Sequence, residues 1–179
     1  GQRHDGIYLV EDVDDVARVA PRGGKLAVVT QTTLSVDDTA ATIDAIRTRY
    51  PDAEVRNDIC YATTNRQAAI RQLASNCDLV LIVGSQTSSN SNRLREVAEG
   101  LGVESHLLLT PNEIQPAWRE GHRVIGISSG ASTPESLVED VIGSLIEGRP
   151  DVKVEVLETI KEEVSFKPPR DLIQLALAR

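Results

Sequence analysis

The sequence predicts an α/β protein with a parallel β-sheet and flanking helices, and three observations support this. Short apolar runs alternate with segments of helical periodicity, and the short connections between them favour a parallel sheet. The run DLVLIV at 78–83 is continuously apolar, as in a central strand covered on both faces. Hydrophobic residues make up 40% of the 179 residues and aromatic ones only 3%, so Val, Ile, Leu and Ala must build the core.

The first third of the chain contains two strand-and-helix units. Ser35 is a typical helix N-cap, and Asp37 and Asp38 follow it in the first turn, where carboxylates complement the helix dipole. For this pair, a role as first-turn acids is favoured over a metal–diphosphate site. The predicted elements are an apolar run at 6–10, a helix at 13–20, a strand at 25–30, a helix at 35–50 and a loop at 51–58.

The remaining units continue the same alternation. Pro134 is expected at the first helical position, where its missing N–H costs nothing. A β-like alternation at 152–157 precedes the charged, proline-containing end of the chain. The other predicted elements are helices at 63–76, 93–101, 113–119 and 134–147, strands at 78–83, 103–109 and 123–127, and turns at 84–90 and 130–133.

The loop before residue 58 suggests a domain boundary near Asn57. Residues 58–148 then form one complete α/β domain with three strong strands. Residues 1–57 contain only about two strands and two helices, too few for an autonomous domain. They are predicted to be the end of a preceding, similar α/β domain. Residues 149–179 form a C-terminal tail.

Composition excludes several classes of function. The formal net charge of −8 argues against nucleic acid and anionic membranes as partners, because polyanions usually require an excess of basic residues. The chain contains no apolar run of about 18 residues, and its start lacks a signal-peptide pattern. Cys60 and Cys77 are too few for a disulfide scaffold or a self-contained metal cluster. Because the chain has no methionine, the natural start is expected upstream of Gly1.

Three loops rich in hydroxyl and amide side chains follow predicted strands. In an open α/β sheet they would lie at the carboxyl ends of the strands, where ligands bind and helix N-termini favour anions. Capping explains any single loop more simply, but the run from Ser88 to Ser91 exceeds what one cap requires. Neither a P-loop nor a G-x-G-x-x-G fingerprint is present. The three loops are 30–35, 84–92 and 128–134.

The two cysteines and the histidines differ in what they suggest. Cys60 precedes a predicted helix, and a helix N-terminus favours the thiolate, so a metal ligand, a nucleophile and an inert loop cysteine all remain open. Cys77 lies where a helix meets the 78–83 strand and is expected to be simply buried. His106 lies within an apolar strand and is expected to be a packed residue, because the histidines have no ligand spacing.

Four segments together resemble the LytB-type 4-hydroxy-3-methylbut-2-enyl diphosphate reductases of the non-mevalonate isoprenoid pathway. The resemblance runs in order from Tyr8 to about Gly148 and implies an oxygen-sensitive [4Fe–4S] enzyme. Such an enzyme removes the hydroxyl of an allylic diphosphate with two electrons and two protons, and forms isopentenyl and dimethylallyl diphosphate. The segments are TQTTLSVDD at 30–38, DICYATTNRQ at 58–67, VGSQTSSNSNR at 83–93 and GASTP at 130–134.

The resemblance also implies roles for particular residues. Cys60 matches one of the three cysteines that hold the cluster, and Thr32 matches a threonine near the substrate hydroxyl that relays protons. Thr87 stands where many members have asparagine. The residues that match the diphosphate-binding side chains are Ser88, Ser89, Asn90 and Ser132.

The remaining implications concern parts outside these segments. Upstream of Gly1 would lie the other two cluster cysteines, the diphosphate-binding histidines and the main carboxylate proton donor. The chain therefore resembles the C-terminal portion of the enzyme. It is expected to be inactive without the missing N-terminal half. A flavodoxin or ferredoxin would donate electrons in the cytoplasm. The alternatives are a non-catalytic module that binds a small diphosphate and, more weakly, a Rossmann-type nucleotide oxidoreductase.

Overall fold

A computed structural model describes residues 6–21, 23–56 and 58–159, and it confirms the predicted α/β class. The strands are β1 (Ala27–Val29), β2 (Glu54–Arg56), β3 (Leu79–Val83), β4 (Glu104–Leu108) and β5 (Ile125–Ser129). The helices are α1 (Val13–Arg18), α2 (Val36–Arg49), α3 (Tyr61–Ala74), α4 (Ser89–Gly100), α5 (Pro116–Glu120) and α6 (Glu135–Ile146). A 3-10 turn, Pro111–Glu113, precedes α5.

Strands β3, β4 and β5 form a parallel sheet with β3 in the centre. Every residue of β3 is fully buried, as its continuous apolar run predicts. Leu79, Leu81 and Val83 pack toward α5 and α6, whereas Val80 and Ile82 pack toward α3 and α4. The apolar run therefore places the carboxyl end of β3 between two helical layers.

Strands β1 and β2 pair in parallel as a separate two-stranded sheet, with Ala27 opposite Glu54. The sequence did not reveal β2, because the strand is only three residues long and two of them are charged. Val29, at the end of β1, is 72% exposed. The pairing of β2 with β1, more than the composition of β2, therefore makes this segment a strand.

Several predicted boundaries require correction. Helices α3 and α4 begin at Tyr61 and Ser89, earlier than the predicted positions 63 and 93, because Cys60 and Ser88 occupy the N-cap positions. Pro134 is itself the N-cap of α6, so it lies one position before the predicted one. The predicted helix at 113–119 is instead the 3-10 turn followed by α5.

Two apolar segments form no strand. Residues 6–10 pair with no other strand among the described residues, and the alternation at 152–157 is exposed and likewise unpaired there. Alternating hydrophobicity favours a strand only where a partner edge is available. The proposed boundary residue 57 and most of the 149–179 tail lie outside the described residues, so the division into domains stays a prediction.

Asp78 ties β5 to β3 at the end of the sheet opposite the three polar loops. Its Oδ2 accepts hydrogen bonds from the backbone N–H groups of Val124 and Arg123, both at 3.0 Å. These two bonds, chiefly the one from Val124, hold the pKa of the Asp78 carboxyl below its ordinary value. The ionised form is therefore the one that stabilises this edge.

We expect Asp78→Asn to flatten the acid limb of the stability profile. Because the folded pKa of Asp78 is depressed, its contribution is fully present above the unfolded pKa and is lost as the pH falls through the folded value. The difference in urea midpoint between the wild type and Asp78→Asn should therefore be largest near pH 7 and shrink toward pH 2. A difference that is constant with pH would contradict this assignment.

None of the helices in the described ranges is long and apolar enough to cross a membrane.

Candidate functional site

The carboxyl ends of β3 and β5 lie side by side and bring two of the three polar loops together. Val83 is paired with Ser129 in the register of the sheet. The carbonyl oxygen of Val83 accepts the Gly130 N–H at 3.0 Å and the Thr133 hydroxyl at 2.9 Å. The loop at 128–134, which carries the exposed Ser132, is thereby held beside the start of the loop at 84–92.

Gly84 and Gly130 let these two loops approach closely. A Cβ atom added to either glycine would fall far inside the contact distance of Ser91 Oγ. Ser91, on the first turn of α4, is 1% exposed and lies between the two glycine backbones. The close approach therefore depends on the absence of a side chain at both glycines.

Hydrogen bonds within the loop at 84–92 position the polar run Ser88–Ser91. Ser88 caps α4, and its Oγ accepts the Ser91 N–H at 3.3 Å. Asn92 donates from its amide to the carbonyl oxygens of Gln86 and Ser88, at 2.7 and 3.0 Å. The Thr87 hydroxyl is 2.9 Å from that of Ser85. Sequence reasoning missed Asn92, which only the folded loop shows to be structural.

Asn90 has a buried side chain without hydrogen-bond partners. The residue is only 9% exposed, and neither its side-chain oxygen nor its side-chain nitrogen has a partner within the described part of the chain. Buried polar groups are nearly always hydrogen-bonded, because an unmet group costs about 1–3 kcal/mol. Asn90 lies in the first turn of α4, where the helix dipole favours an anion. An unpartnered amide at this position has the chemistry to bind an anion.

The third polar loop, at 30–35, lies beside the N-terminus of α3. The Cys60 N–H donates to the Thr32 carbonyl oxygen at 3.0 Å, and the Asp58 N–H donates to Thr30 Oγ1 at 2.8 Å. Cys60 and Thr32 are both exposed, and the Cys60 side chain makes no capping bond. The structure therefore makes the thiol and the threonine neighbours along paired loop backbones.

Gln67 on α3 holds this loop in place. Its side chain is completely buried, accepts the Val36 N–H at 3.0 Å and donates to the Leu34 carbonyl oxygen at 2.8 Å. The sequence offered no signal for this role, because glutamine within an amphipathic helix usually faces solvent. The loop that carries Thr32 is therefore anchored to α3 by Gln67, which lies about two helical turns beyond Cys60.

An open cleft of about 310 Å³ joins the loop at 30–35 to the start of α4. Arg66 on α3 further connects these parts, since its guanidinium donates to the Ser129 carbonyl oxygen at 3.1 Å. The cleft therefore lies between the loops at 30–35 and 84–92, and the Arg66 bond ties α3 to the loop at 128–134. The residues that line the cleft are Gln31, Thr33, Leu34, Thr87, Ser89, Asn92, Arg93 and Glu96.

Other candidate groups are engaged elsewhere. Asp37 and Asp38 lie in the first turn of α2 as predicted, and they pair with Arg71 at 2.5 Å and Arg93 at 3.5 Å. Burial, followed by the charge of Asp78, raises the pKa of the half-buried Cys77 thiol. No group of three or more His, Cys, Asp or Glu side chains within the described ranges could hold a metal ion.

His106 lies in the middle of β4 and belongs to a cluster with Glu104, Trp118 and His122. Its ring stacks on Trp118 with centroids 4.6 Å apart, which confirms it as a packed residue. Glu104 accepts hydrogen bonds at its two oxygens from His106 and His122, at 2.8 and 3.2 Å. These bonds, chiefly the one with His106, lower the pKa of the Glu104 carboxyl. The cluster therefore serves packing at β4 and lies away from the polar loops.

Comparison with known proteins decides the family. A sequence model described as "LytB protein" matches residues 1–146. The chain belongs to the LytB protein family. The matched range contains all three polar loops and Cys60, so every candidate site residue lies within the LytB homology.

Relatives of this LytB chain include named reductases. The 4-hydroxy-3-methylbut-2-enyl diphosphate reductase of Azotobacter vinelandii is 52% identical over 169 residues, which cover 93% of this chain and 53% of the relative. That of Actinobacillus succinogenes is 48% identical over 173 residues, 95% of this chain and 55% of the relative. The chain thus spans about half the length of the curated relatives it matches.

A solved structure shares the fold of this LytB chain. The E-1-hydroxy-2-methyl-but-2-enyl-4-diphosphate reductase of Plasmodium falciparum superimposes with a TM-score of 0.85 and 32% sequence identity. The superposition covers 96% of this chain and 55% of that one. The arrangement of strands and helices around the polar loops is therefore a LytB arrangement.

Proposed function

We propose that the chain contributes the site described above to a cytoplasmic [4Fe–4S] reductase that converts (E)-4-hydroxy-3-methylbut-2-enyl diphosphate to isopentenyl and dimethylallyl diphosphate. The observation that carries the proposal is Asn90, a buried amide without partners in the described part of the chain, at the N-terminus of α4. An amide in this place can donate to a diphosphate oxygen, and the family relationship supports that ligand.

The diphosphate would be held without a cluster of basic side chains. Ser88, Ser89 and Asn90 follow one another at the start of α4, and Ser132 lies on the neighbouring loop. Their neutral hydroxyl and amide donors, together with the dipole of the helix end, can stabilise an anion by hydrogen bonding. A protein with a net charge of −8 can therefore still bind a diphosphate.

Thr32 and Cys60 would serve the reacting end of the substrate. Thr32 would bind the substrate hydroxyl and relay a proton to it from its exposed side chain. Cys60, at the N-cap of the 14-residue helix α3, is exposed and makes no side-chain capping bond, so its sulfur is accessible as a ligand.

The cluster itself does not fit this chain alone. When bound, a [4Fe–4S] cluster would supply electrons for removal of the hydroxyl. Such a cluster is usually held by Cys thiolates, up to about four, and the chain contains only Cys60 and the half-buried Cys77. Further thiolates would have to come from a segment that these relatives contain and this chain does not span. An electron donor such as a flavodoxin or ferredoxin completes the proposal.

A chimaera tests the reductase function. Residues 1–146 would replace the matching segment of the Azotobacter vinelandii reductase, and turnover of the allylic diphosphate would be measured anaerobically with reduced methyl viologen. We expect a chimaera with turnover within about tenfold of the parent.

Two variants of the chimaera test the individual residues. Cys60→Ser should remove most of the visible absorbance of the cluster. Thr32→Val should lower kcat more than it raises KM.

The same chimaera can reject the proposal. A folded chimaera that binds the cluster but has no turnover would refute the reductase role. If that inert protein still bound diphosphate, the non-catalytic binding module would be the better function. Unchanged kcat in Thr32→Val would remove Thr32 from the proton relay.

Asn90→Ala should weaken the binding of inorganic pyrophosphate to the 179-residue chain. Loss of a hydrogen bond to a charged ligand costs about 1.5–3 kcal/mol, so we expect the Kd to rise roughly tenfold or more. Chemical-shift titration of the backbone amides provides the measurement. Asn76→Ala is the matched control, because within the described residues that exposed amide donates to Gln72 and Ser75 at its own helix end. Equal affinities for the two variants would contradict the role of Asn90.

A further inference from the structure

Ser91 is a buried serine that matches no substrate-binding position, yet it occupies the centre of the candidate site. It is 1% exposed and lies between Gly84 at the end of β3 and Gly130 at the end of β5. Its Cβ is 2.9 Å from the position that a Cβ on Gly84 would take. The space between the two strand ends therefore accepts a serine, and a larger side chain would force the strand ends apart.

Ser91 donates two hydrogen bonds to the hydroxyl oxygen of Ser88. Ser88 Oγ accepts the Ser91 N–H at 3.3 Å and the Ser91 hydroxyl at 3.1 Å. A serine hydroxyl has two acceptor lone pairs and one O–H donor. Both lone pairs of Ser88 are used by Ser91, and no acceptor within the described part of the chain takes the Ser88 O–H.

We propose that Ser91 is a positioning residue that makes Ser88 an obligate hydrogen-bond donor toward the diphosphate. This inference rests on the proposed function and deepens it. A diphosphate presents only acceptor oxygens when fully ionised, so a hydroxyl fixed as a donor matches it without first reorienting. A ligand that presents an N–H or O–H donor at the same place would find no lone pair on Ser88. Ser91 thus selects for anionic oxygens while touching no ligand itself.

A double-mutant cycle separates this role from a general structural one. The 179-residue chain and its Ser88→Ala, Ser91→Ala and double variants would be titrated with inorganic pyrophosphate by chemical-shift mapping. We expect Ser91→Ala to raise the Kd about three- to tenfold in the wild-type background. In the Ser88→Ala background the same substitution should change the Kd by less than about twofold, because Ser91 acts through Ser88.

Ser105→Ala is the matched control. Ser105 is equally a buried serine, and its hydroxyl donates to the Arg95 carbonyl oxygen of α4 at 3.0 Å, away from the polar loops. This variant should lose stability without a change in the Kd. Thermal unfolding of every variant confirms that binding is compared between folded proteins.

The possible outcomes are distinct. Equal effects of Ser91→Ala in both backgrounds would overturn the positioning role and leave the diphosphate site intact. A wild-type chain that binds no pyrophosphate at millimolar concentration would overturn the proposed diphosphate site, and the role of Ser91 with it. A Ser91→Ala affinity equal to that of the wild type would overturn the positioning role alone.

Discussion

Gly84→Ala is expected to lower the free energy of unfolding by about 2 kcal/mol or more, the usual cost of overpacking. The added methyl would collide with Ser91 Oγ and would lie 2.9 Å from Ser91 Cβ. Rotation of the serine can move the Oγ atom but leaves Cβ in place. The end of β3 or the first turn of α4 must therefore shift, and with it Ser88 and Asn90.

Gly130→Ala provides an internal comparison, because its collision differs in kind. The added methyl would clash with Ser91 Oγ, but it would lie 3.6 Å from Ser91 Cβ, an ordinary contact, and 3.2 Å from Thr133 Oγ1. Adding Ser91→Ala should therefore rescue most of the loss in Gly130→Ala. The same addition should rescue little of the loss in Gly84→Ala, because the Cβ atom remains.

Urea unfolding of the single and double variants measures both effects. Gly143→Ala is the control, since nothing lies within 4 Å of a Cβ added to that glycine in the middle of α6. It should be neutral or stabilise by about 0.5–1 kcal/mol through higher helix propensity. Equal rescue of the Gly84 and Gly130 variants by Ser91→Ala would show that the two strand ends are not packed as described.

Gln67→Glu is expected to destabilise the protein by about 3 kcal/mol at neutral pH, the scale of an uncompensated buried charge. The substitution keeps the shape of a completely buried side chain. One carboxylate oxygen can still accept the Val36 N–H, but the other would face the Leu34 carbonyl oxygen, to which the glutamine now donates. Two acceptors then oppose each other in a buried place.

The sign of the pH dependence follows from that geometry. The protonated acid can donate to the Leu34 carbonyl oxygen again, so burial and this carbonyl raise the folded pKa of the introduced carboxyl above its unfolded value of about 4.3. The variant is therefore closest to the wild type below that pH, and it loses stability as the pH rises through the folded pKa.

Gln72→Glu is the control for this prediction, because residue 72 is an exposed position of the same helix. We expect that variant to stay within about 0.5 kcal/mol of the wild type at every pH. Urea midpoints from pH 4 to 8 provide the measurement. A Gln67→Glu deficit that does not grow with pH would mean that the side chain does not bridge Val36 and Leu34.

Local sequence patterns were sufficient to predict those features that depend on a single segment of the chain. The continuous apolar run at 78–83 predicted the buried central strand, and Ser35 predicted the start of α2. The motifs around Thr32, Cys60, Ser88 and Ser132 also predicted the family, which the comparison confirms. Residue type and spacing determine such features before any tertiary contact forms.

Features that depend on contacts between distant segments could not be predicted. Strand β2 exists because β1 offers it an edge, and the apolar alternation at 152–157 forms no strand among the described residues. The start of α4 was misplaced because the run Ser88–Ser91 resembles a turn, whereas Ser88 caps a helix that already includes the next three residues. Composition alone does not distinguish a polar turn from a polar first helical turn.

The sequence by itself therefore determined the α/β class, the central strand and the residue types at the three strand ends. Tertiary structure decided which of those residues are accessible, which are structural and which are buried without partners in the described part of the chain. Asn90 and Ser91 are adjacent and both polar, yet the side chain of Asn90 is left without hydrogen bonds there, whereas the Ser91 hydroxyl lies between two glycines and donates to Ser88. That difference arises from packing, because satisfying a polar group depends on neighbours that only the fold brings within reach.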